Sequence, residues 1–323
     1  MRAIWYERPG PAAEVLNFGE LPDPEPGPGE VRVRVALSAI NPTDVKRRER
    51  GREVGLFARI IPHNDGAGVI DRVGEGVPAQ RLGARVWIFG AQAGRPFGTA
   101  ARFVVLPERQ AIRLPDVATI EDGACLGIPA VTAHRCLFAD GPVDGKAVLV
   151  AGGAGAVGHF AIELAKQAGA RVVSTVSSPE KAELASKAGA DRVVNYRDGD
   201  AAEQIRAFAQ RMDRIVEVAL GANTELDLAV SGPGTVIVTY AAEPKDPVLP
   251  VRACMTANVV LRFILLYGVP RPSLDQAARE VSAALAVGAL SELPLHRFPL
   301  DDIAAAHEAV EAGAVGKVLV DIP

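Results

Sequence analysis

The sequence predicts an α/β fold in which a strand-rich lobe accompanies a doubly wound parallel sheet. Three observations carry this reading. Up to about residue 120 the chain alternates short strand patterns with Gly and Pro punctuation. From Lys146 to about Tyr240 short apolar runs alternate with helical stretches, the pattern of a parallel sheet covered by helices on both faces. A glycine-rich turn joins the first of those runs to the first of those helices.

The elements follow in order. Gly27-Pro28-Gly29-Glu30 is a turn cluster, and Val31, Val33 and Val35 then alternate with Arg32, Arg34 and Ala36, a period of two that marks a half-buried strand. Residues 69–73, 85–89 and 102–106 are further short strands. Thr119-Ile120-Glu121-Asp122 opens a helix, with acids in the first turn where the helix dipole favours them. Strands are expected at 147–151, 171–176, 192–195, 215–219 and 234–240, with helices at 157–168 and 179–188. Helices at 274–287 and 300–312 and a last strand at 317–322 complete the chain. Some 55 residues are few for a core of their own, so this last segment is expected to return to the first lobe.

Composition narrows the function classes. The 323 residues are 49% hydrophobic and 23% charged, which excludes a disordered chain. A net charge of −4 argues against a dedicated nucleic-acid binder. The three cysteines, Cys125, Cys136 and Cys254, cannot form a disulfide framework or a four-cysteine zinc lobe. They imply a reducing, cytoplasmic setting. The longest apolar stretch, 259–269, is short and interrupted by Arg262, so no membrane span is expected. The first ten residues lack the apolar core of a signal peptide.

The most specific motif follows the run Val148-Leu149-Val150-Ala151. Gly152-Gly153-Ala154-Gly155-Ala156-Val157-Gly158 satisfies G-x-G-x-x-G at Gly153, Gly155 and Gly158, with a strand before it and a helix after. Glycine is needed there for a tight turn, for close approach of backbone to a pyrophosphate, and for close packing of helix on strand. The helix N-terminus offers free N–H groups to the diphosphate. The alternative is a tight strand–helix turn without a ligand. Where NAD enzymes carry an acid after the second strand, this chain has Val176, Ser177 and Ser178, with Lys181 close behind. Two hydroxyls and an ammonium suit a 2′-phosphate, so NADPH is the expected cofactor. Glu180 and Ser178 also read as a helix first turn and its cap. Tyr196 either meets the adenosine end of the cofactor or packs on a loop.

Other chemistries lack their residues. The histidines, His63, His134, His159, His296 and His307, show no ligand spacing, and there is no G-x-S-x-G elbow or Tyr-x-x-x-Lys pair. No metal site is expected. Hydride chemistry driven by the cofactor remains.

The assembled residues resemble the medium-chain dehydrogenase/reductase superfamily, and within it the zinc-free quinone oxidoreductase branch that includes zeta-crystallin. The resemblance spans essentially the whole chain. It rests on Ala39-Ile40-Asn41-Pro42-Thr43-Asp44, Gly66-Ala67-Gly68-Val69-Ile70, Gly83-Ala84-Arg85-Val86, Cys125-Leu126-Gly127-Ile128-Pro129-Ala130, the loop 152–158, Gly189-Ala190-Asp191, Val194-Asn195-Tyr196 and Gly316-Lys317-Val318. It implies a GroES-like substrate lobe at 1–121 and 266–323, and a Rossmann lobe at 122–265 with the cofactor in the cleft. Zinc-dependent relatives place metal ligands at the positions of Asn41, Asn64 and, nearby, Ile128, and none of the three is a metal ligand of that kind here.

By the same resemblance Asn41 lines the nicotinamide and substrate pocket and is the catalytic candidate, and Thr132 lies near the nicotinamide carboxamide. Gly153, Gly155, Ala156, Val157 and Gly158 face the diphosphate. Ser177, Lys181 and Tyr196 surround the 2′-phosphate, and Lys317 lies near the cofactor, unless it is a solvated charge opening the last strand. Two departures fall at the expected mouth of the substrate cleft: Lys46 stands where relatives often have tyrosine, and His63 where they have glycine. The implied activity is NADPH-dependent reduction of a quinone or related conjugated carbonyl. An enoyl or alkenal reductase is the alternative, and a cofactor-bound RNA-binding or structural protein a further one. The implied partners are a small-molecule electron acceptor and a second copy, docked through sheet edges near 236–239 and 259–266.

Overall fold

A computed structural model describes residues 1–51 and 55–323. The chain divides into two compact units, 1–128 with 292–323, and 129–291. The chain's return thus falls later than the expected residue 266. The reason is the amphipathic helix at 271–286, whose stripe of Leu274, Ala277, Ala278, Val281 and Leu285 is buried and whose Glu280 takes a 2.7 Å hydrogen bond from His134, both in the second unit.

In chain order the first unit holds β1 (Arg2–Trp5), α1 (Ala12–Val15), β2 (Asn17–Glu20), β3 (Glu30–Ile40), α2 (Pro42–Arg50), β4 (Asp65–Val73), β5 (Arg85–Ile88), β6 (Phe103–Pro107), β7 (Ala111–Arg113) and the first half of α3 (Ile120–Phe138). The second unit holds the rest of α3, then β8 (Ala147–Ala151), α4 (Ala156–Gln167), β9 (Arg171–Val176), α5 (Pro179–Lys187), β10 (Arg192–Asn195), α6 (Ala201–Phe208), β11 (Arg214–Glu217), α7 (Leu220–Ala229), β12 (Val236–Thr239), α8 (Val251–Ala257), β13 (Val260–Phe263) and α9 (Arg271–Ala286). The chain ends in the first unit with β14 (Leu295–Pro299), α10 (Ile303–Glu311) and β15 (Lys317–Asp321).

The first unit is built on a seven-stranded sheet, β14-β15-β3-β4-β5-β7 with β6 also on β3. Val31, Val33 and Val35 of β3 are buried as the alternation predicts, but so is Arg32. The strand is covered on both faces at that point because the Arg32 guanidinium is held by both oxygens of Asp71, at 3.0 and 2.9 Å, and lies 4.4 Å from the Phe103 ring centroid. Antiparallel register sets Val318 of β15 against Ile40 and Asp65 of β4 against Ala39. The far end of β3 therefore gathers Asn41, Asp65 and Lys317.

The second unit is a six-stranded all-parallel sheet in the order β10-β9-β8-β11-β12-β13. Counted within the unit this is 3-2-1-4-5-6, the dinucleotide-binding order, with its switch point between β8 and β11. Every residue of β8 is buried, as an interior parallel strand requires. β12 is paired on both sides by β11 and β13, so the segment 236–239 is not the sheet edge expected from the sequence. β13 is one of the two edges, with Val260 and Phe263 exposed. Among the described residues no helix is long and apolar enough to cross a membrane.

Candidate functional site

In the second unit β8 runs into the turn at Gly152, whose φ of +70° suits glycine. A Cβ at Gly153 would lie 2.0 Å from Ser174 Oγ and 2.8 Å from Ile162, and one at Gly158 would lie 2.4 Å from the Gly152 carbonyl oxygen. Gly155 is different: its nearest neighbour would be 3.4 Å away, so its bareness leaves open space above the helix end. Gly155 caps α4, and the first intrahelical bond, from His159 N to Gly155 O, is 2.8 Å long. The N–H groups of Ala156, Val157 and Gly158 precede it and lie at the positive end of the helix dipole. A cradle that side chains would fill, floored by free N–H groups, fits a dinucleotide diphosphate.

Parallel register sets Asn195 beside Val176, so β9 and β10 end together. There the Lys181 ammonium donates to Ser177 Oγ at 3.3 Å, and Tyr196, 44% exposed, donates its backbone N–H to Val176 O. Ser178 caps α5, accepting from Lys181 N. The sequence thus brings Ser177, Lys181 and Tyr196 to one place. It missed Arg197, whose guanidinium stands 5.9 Å from the Tyr196 ring centroid and adds a second cation. Glu180 is exposed, its carboxyl held below the usual range by the Ser178 hydroxyl. Thr132 is buried on α3.

At the end of β11, beside the switch point, Glu217 accepts from Asn223 at 2.9 Å and from the Ala219 N–H. Asp227 of α7 is buried against it, and burial together with the Glu217 charge pushes the Asp227 carboxyl far above its usual range. Asp227 is therefore protonated in the folded protein at neutral pH and ionised in the unfolded chain. Its raised value gives stability that is full below about pH 4 and is lost as pH rises toward the folded-state value, at about 1.4 kcal/mol per pH unit. Asp227→Asn, which needs no proton, is expected to flatten the fall in thermal midpoint between pH 5 and pH 8. An unchanged pH slope would contradict a protonated Asp227.

In the first unit a second cluster is almost wholly buried. Lys317 opens β15 level with Asn41 and is 3% exposed, so it is not a solvated charge. Its ammonium donates to Asn41 Oδ1 at 2.5 Å and lies 3.7 Å from Asp65 Oδ2. Asn41 Nδ2 donates to the same Asp65 oxygen at 2.7 Å, as does Ile128 N at 2.8 Å. That N–H is free because α3 breaks at Gly127, and the Asp65 carboxyl lies where a Cβ at Gly127 would sit, 2.0 Å from Cγ. Asp44 joins the layer, accepting from Asn41 N at 2.8 Å and from Asn64 Nδ2 at 2.7 Å. Burial pushes Asp65 up to about 6 against the opposing pull of Lys317, and its Oδ1 has no partner among the described residues. Burial also pushes the Cys125 thiol up to about 12.

A zinc ion does not fit this donor set. Asn41 bridges Asp65 and the Lys317 ammonium, Asn64 is taken up by Asp44 and by the Gln92 N–H, no thiolate or imidazole joins them, and no group of three metal-binding side chains occurs among the described residues. His63, expected at a pocket mouth, is instead fully buried with both ring nitrogens engaged, on Ser38 and on His307, so neither is left for a substrate. Lys46 is exposed on α2. Asp65 and His307 were missed as site residues. The inward turn of Lys317 had a signal: Val318-Leu319-Val320 is an unbroken apolar run, which marks a strand without a solvated face.

Family models match both halves of this architecture, the alcohol dehydrogenase GroES-like domain over residues 27–116 and the zinc-binding dehydrogenase model over 156–283. The quinone oxidoreductase of Homo sapiens is 27% identical over 327 residues, covering 99% of this chain and 97% of its own. The trans-enoyl reductase tazE of Aspergillus terreus is 34% identical over 264 residues, covering 75% and 83%. Among solved structures, an NAD-dependent alcohol dehydrogenase superposes with a TM-score of 0.88 at 27% identity over 100% of both chains. A mycobacterial protein complexed with NADPH gives 0.85 at 27% over 99% of both. With its strand order, its glycine cradle and these matches, the chain belongs to the medium-chain dehydrogenase/reductase superfamily, in the quinone oxidoreductase branch, and is an oxidoreductase that uses a nicotinamide cofactor.

Proposed function

We propose that this protein reduces quinones or related conjugated carbonyl compounds with NADPH, by hydride transfer and without a metal ion. The observation that carries the reading is the buried Lys317 ammonium beside Asn41 and Asp65, a fixed cation in a cluster that does not fit zinc. A reduced nicotinamide, when bound, supplies the hydride. Lys317 has three N–H donors and gives one to Asn41, so donors remain for an acceptor oxygen. Reduction of a quinone to the hydroquinone consumes one hydride and one proton. Negative charge gathers on the carbonyl oxygen as the hydride arrives, and a preorganised ammonium in dry surroundings stabilises it. Asn41 and Asp65 hold that ammonium in place, and solvent supplies the proton.

Gly153, Gly155, Ala156, Val157 and Gly158 hold the diphosphate in this reading, and Thr132 the carboxamide. Ser177, Lys181 and Tyr196 receive the 2′-phosphate. Lys181→Ala is expected to weaken NADPH binding about 10- to 100-fold, ~1.4–2.8 kcal/mol, and to leave NADH binding nearly unchanged. Titration of both cofactors by nicotinamide fluorescence checks this, and equal losses would contradict the 2′-phosphate role.

The similarity to the Aspergillus trans-enoyl reductase favours one second reading, in which the same cofactor and ammonium serve a 2-enoyl acceptor. Steady-state kinetics with NADPH against a quinone and against a 2-enoyl thioester separate the two. A strong preference for the enoyl compound would replace the quinone reading.

A further inference from the structure

His63 holds a backbone conformation that resists any side chain. Its φ is +80°, and Asn258 is the only other non-glycine with positive φ among the described residues. The segment around it is fixed. Thr99 N donates to His63 O at 3.1 Å, and Gly98 packs so closely that a Cβ there would lie 2.2 Å from the same oxygen. A strained residue persists where its surroundings over-determine it, and here the ring does so. It is fully buried, with Nδ1 2.8 Å from Ser38 Oγ and Nε2 2.9 Å from His307 Nε2.

The direction of every hydrogen bond in this chain follows from its two ends. The Arg48 guanidinium only donates, and its Nη1 is 3.2 Å from His307 Nδ1. A neutral His307 then carries its proton on Nε2 and donates it to His63. His63 must therefore carry its own proton on Nδ1 and donate to Ser38. Ser38 donates to Thr99 Oγ1 at 2.7 Å, because the Thr99 proton goes to the Asp65 backbone carbonyl at 2.5 Å. One direction satisfies all the groups. Neither end passes a proton on, since the guanidinium does not release one and a peptide carbonyl does not take one. The chain is a lock and not a relay.

We propose that His63 is a positioning residue for the cluster of Asn41, Asp65 and Lys317: its ring, fixed in the Nδ1–H form between Ser38 and His307, clamps the 63–65 turn and so aims the Asp65 carboxylate at Asn41 and Lys317. The functional half of this inference rests on the reading of Lys317 given above. The residues after His63 show what the clamp holds. Asn64 ties to Asp44, and Asp65 ties through its carbonyl to Thr99 and through its carboxylate to Asn41 and Ile128. The charged and titratable groups facing Asp65 are Lys317 of β15, Asp44 of α2 and Cys125 of α3. Those facing the histidines are Lys317 and Arg48, with Glu311 and Glu49 on the far side of Arg48. Burial holds both imidazoles neutral, with His307 lowered to about 3, which the lock requires.

Long-range 1H–15N spectra of the wild-type protein at pH 7 test the lock without any assay. The expected result is His63 protonated on Nδ1 alone and His307 on Nε2 alone. His63→Gly suits the left-handed backbone and removes the ring. In it the Asp65 carboxyl, followed by 13C shift, is expected to titrate at least half a pH unit away from wild type. Quinone turnover is expected to fall 10-fold or more at an unchanged KM for NADPH. His63→Asn tolerates the same backbone and can donate to Ser38, so it is expected to recover most of both. The reverse tautomers or an imidazolium in wild type would overturn the proposal. So would an Asp65 titration and turnover unmoved by His63→Gly, even with a lower melting temperature, which is what a merely structural ring predicts. Absence of quinone turnover in the wild type would instead defeat the functional reading, and the two NMR readouts would still decide the lock.

Discussion

Replacing Lys317 by methionine is expected to remove about 100-fold or more of turnover and roughly 2–4 kcal/mol of stability at neutral pH, because a buried carboxylate loses the cation beside it. Lys317 and Asp65 are both almost fully buried and 3.7 Å apart. The sign of the pH dependence is set by Asp65, which already stands at about 6 with Lys317 pulling it down. Without that pull its folded-state value climbs further above the unfolded value of about 4, so the variant binds a proton on folding. Stability is then regained as pH falls from 8 toward 5. Denaturant titration at the two pH values measures it. Lys317→Met with Asp65→Asn separates the two effects, since a neutral amide needs no cation. The double variant is expected to recover most of the stability and none of the turnover. Recovery of turnover as well would show that the ammonium acts only on the fold.

The second large effect is expected at Gly153. A valine there would force its Cβ into Ser174 Oγ, 2.0 Å away, and against Ile162 of α4, 2.8 Å away. Ser174 cannot yield freely, because its hydroxyl is bonded to Val150 O at 2.9 Å, which ties β9 to β8. The helix end must move from the turn, and the N–H groups proposed to hold the diphosphate move with it. NADPH affinity is expected to drop about 100-fold, ~3 kcal/mol, with a lower melting temperature. Gly153→Ala combined with Ser174→Gly makes room for the smaller side chain. It should bind NADPH more tightly than Gly153→Ala alone. No difference between them would mean that the crowding at Ser174 is not what glycine avoids.

The inner strands of the parallel sheet were legible because they are buried on both faces, whereas the exposed edge strand β13 was not among the strands expected from periodicity. The run 147–151, with the glycines behind it, returns in the structure as β8 and the cap of α4. The first unit was harder to read. Arg32 looked like the polar half of an alternating strand, yet Asp71, 39 residues away, makes it a buried residue. Lys317 looked as much like surface as site, because the carboxylate and amide that hold it lie more than 250 residues away in the chain. The only sign of the strained backbone at His63 was that relatives carry glycine there; what holds it, Ser38, Thr99 and His307, comes each from a different element or loop. Local patterns report periodicity and turns. A buried polar cluster is a product of register between distant strands, and it becomes visible only when the sheet is assembled.

If a hydride passes from NADPH to an electron-poor acceptor with an ammonium in place of a metal, NADPH oxidation must not depend on zinc. The most direct measurement follows oxidation of NADPH by a quinone, using protein whose zinc content has been determined and which has been treated with a chelator, and repeats it with NADPH deuterated at the transferring position. Full turnover is expected with zinc far below one ion per chain, slowed by a primary isotope effect and lost in Lys317→Met. Turnover that rises and falls with bound zinc, or no oxidation of NADPH by any quinone or conjugated carbonyl, would contradict it.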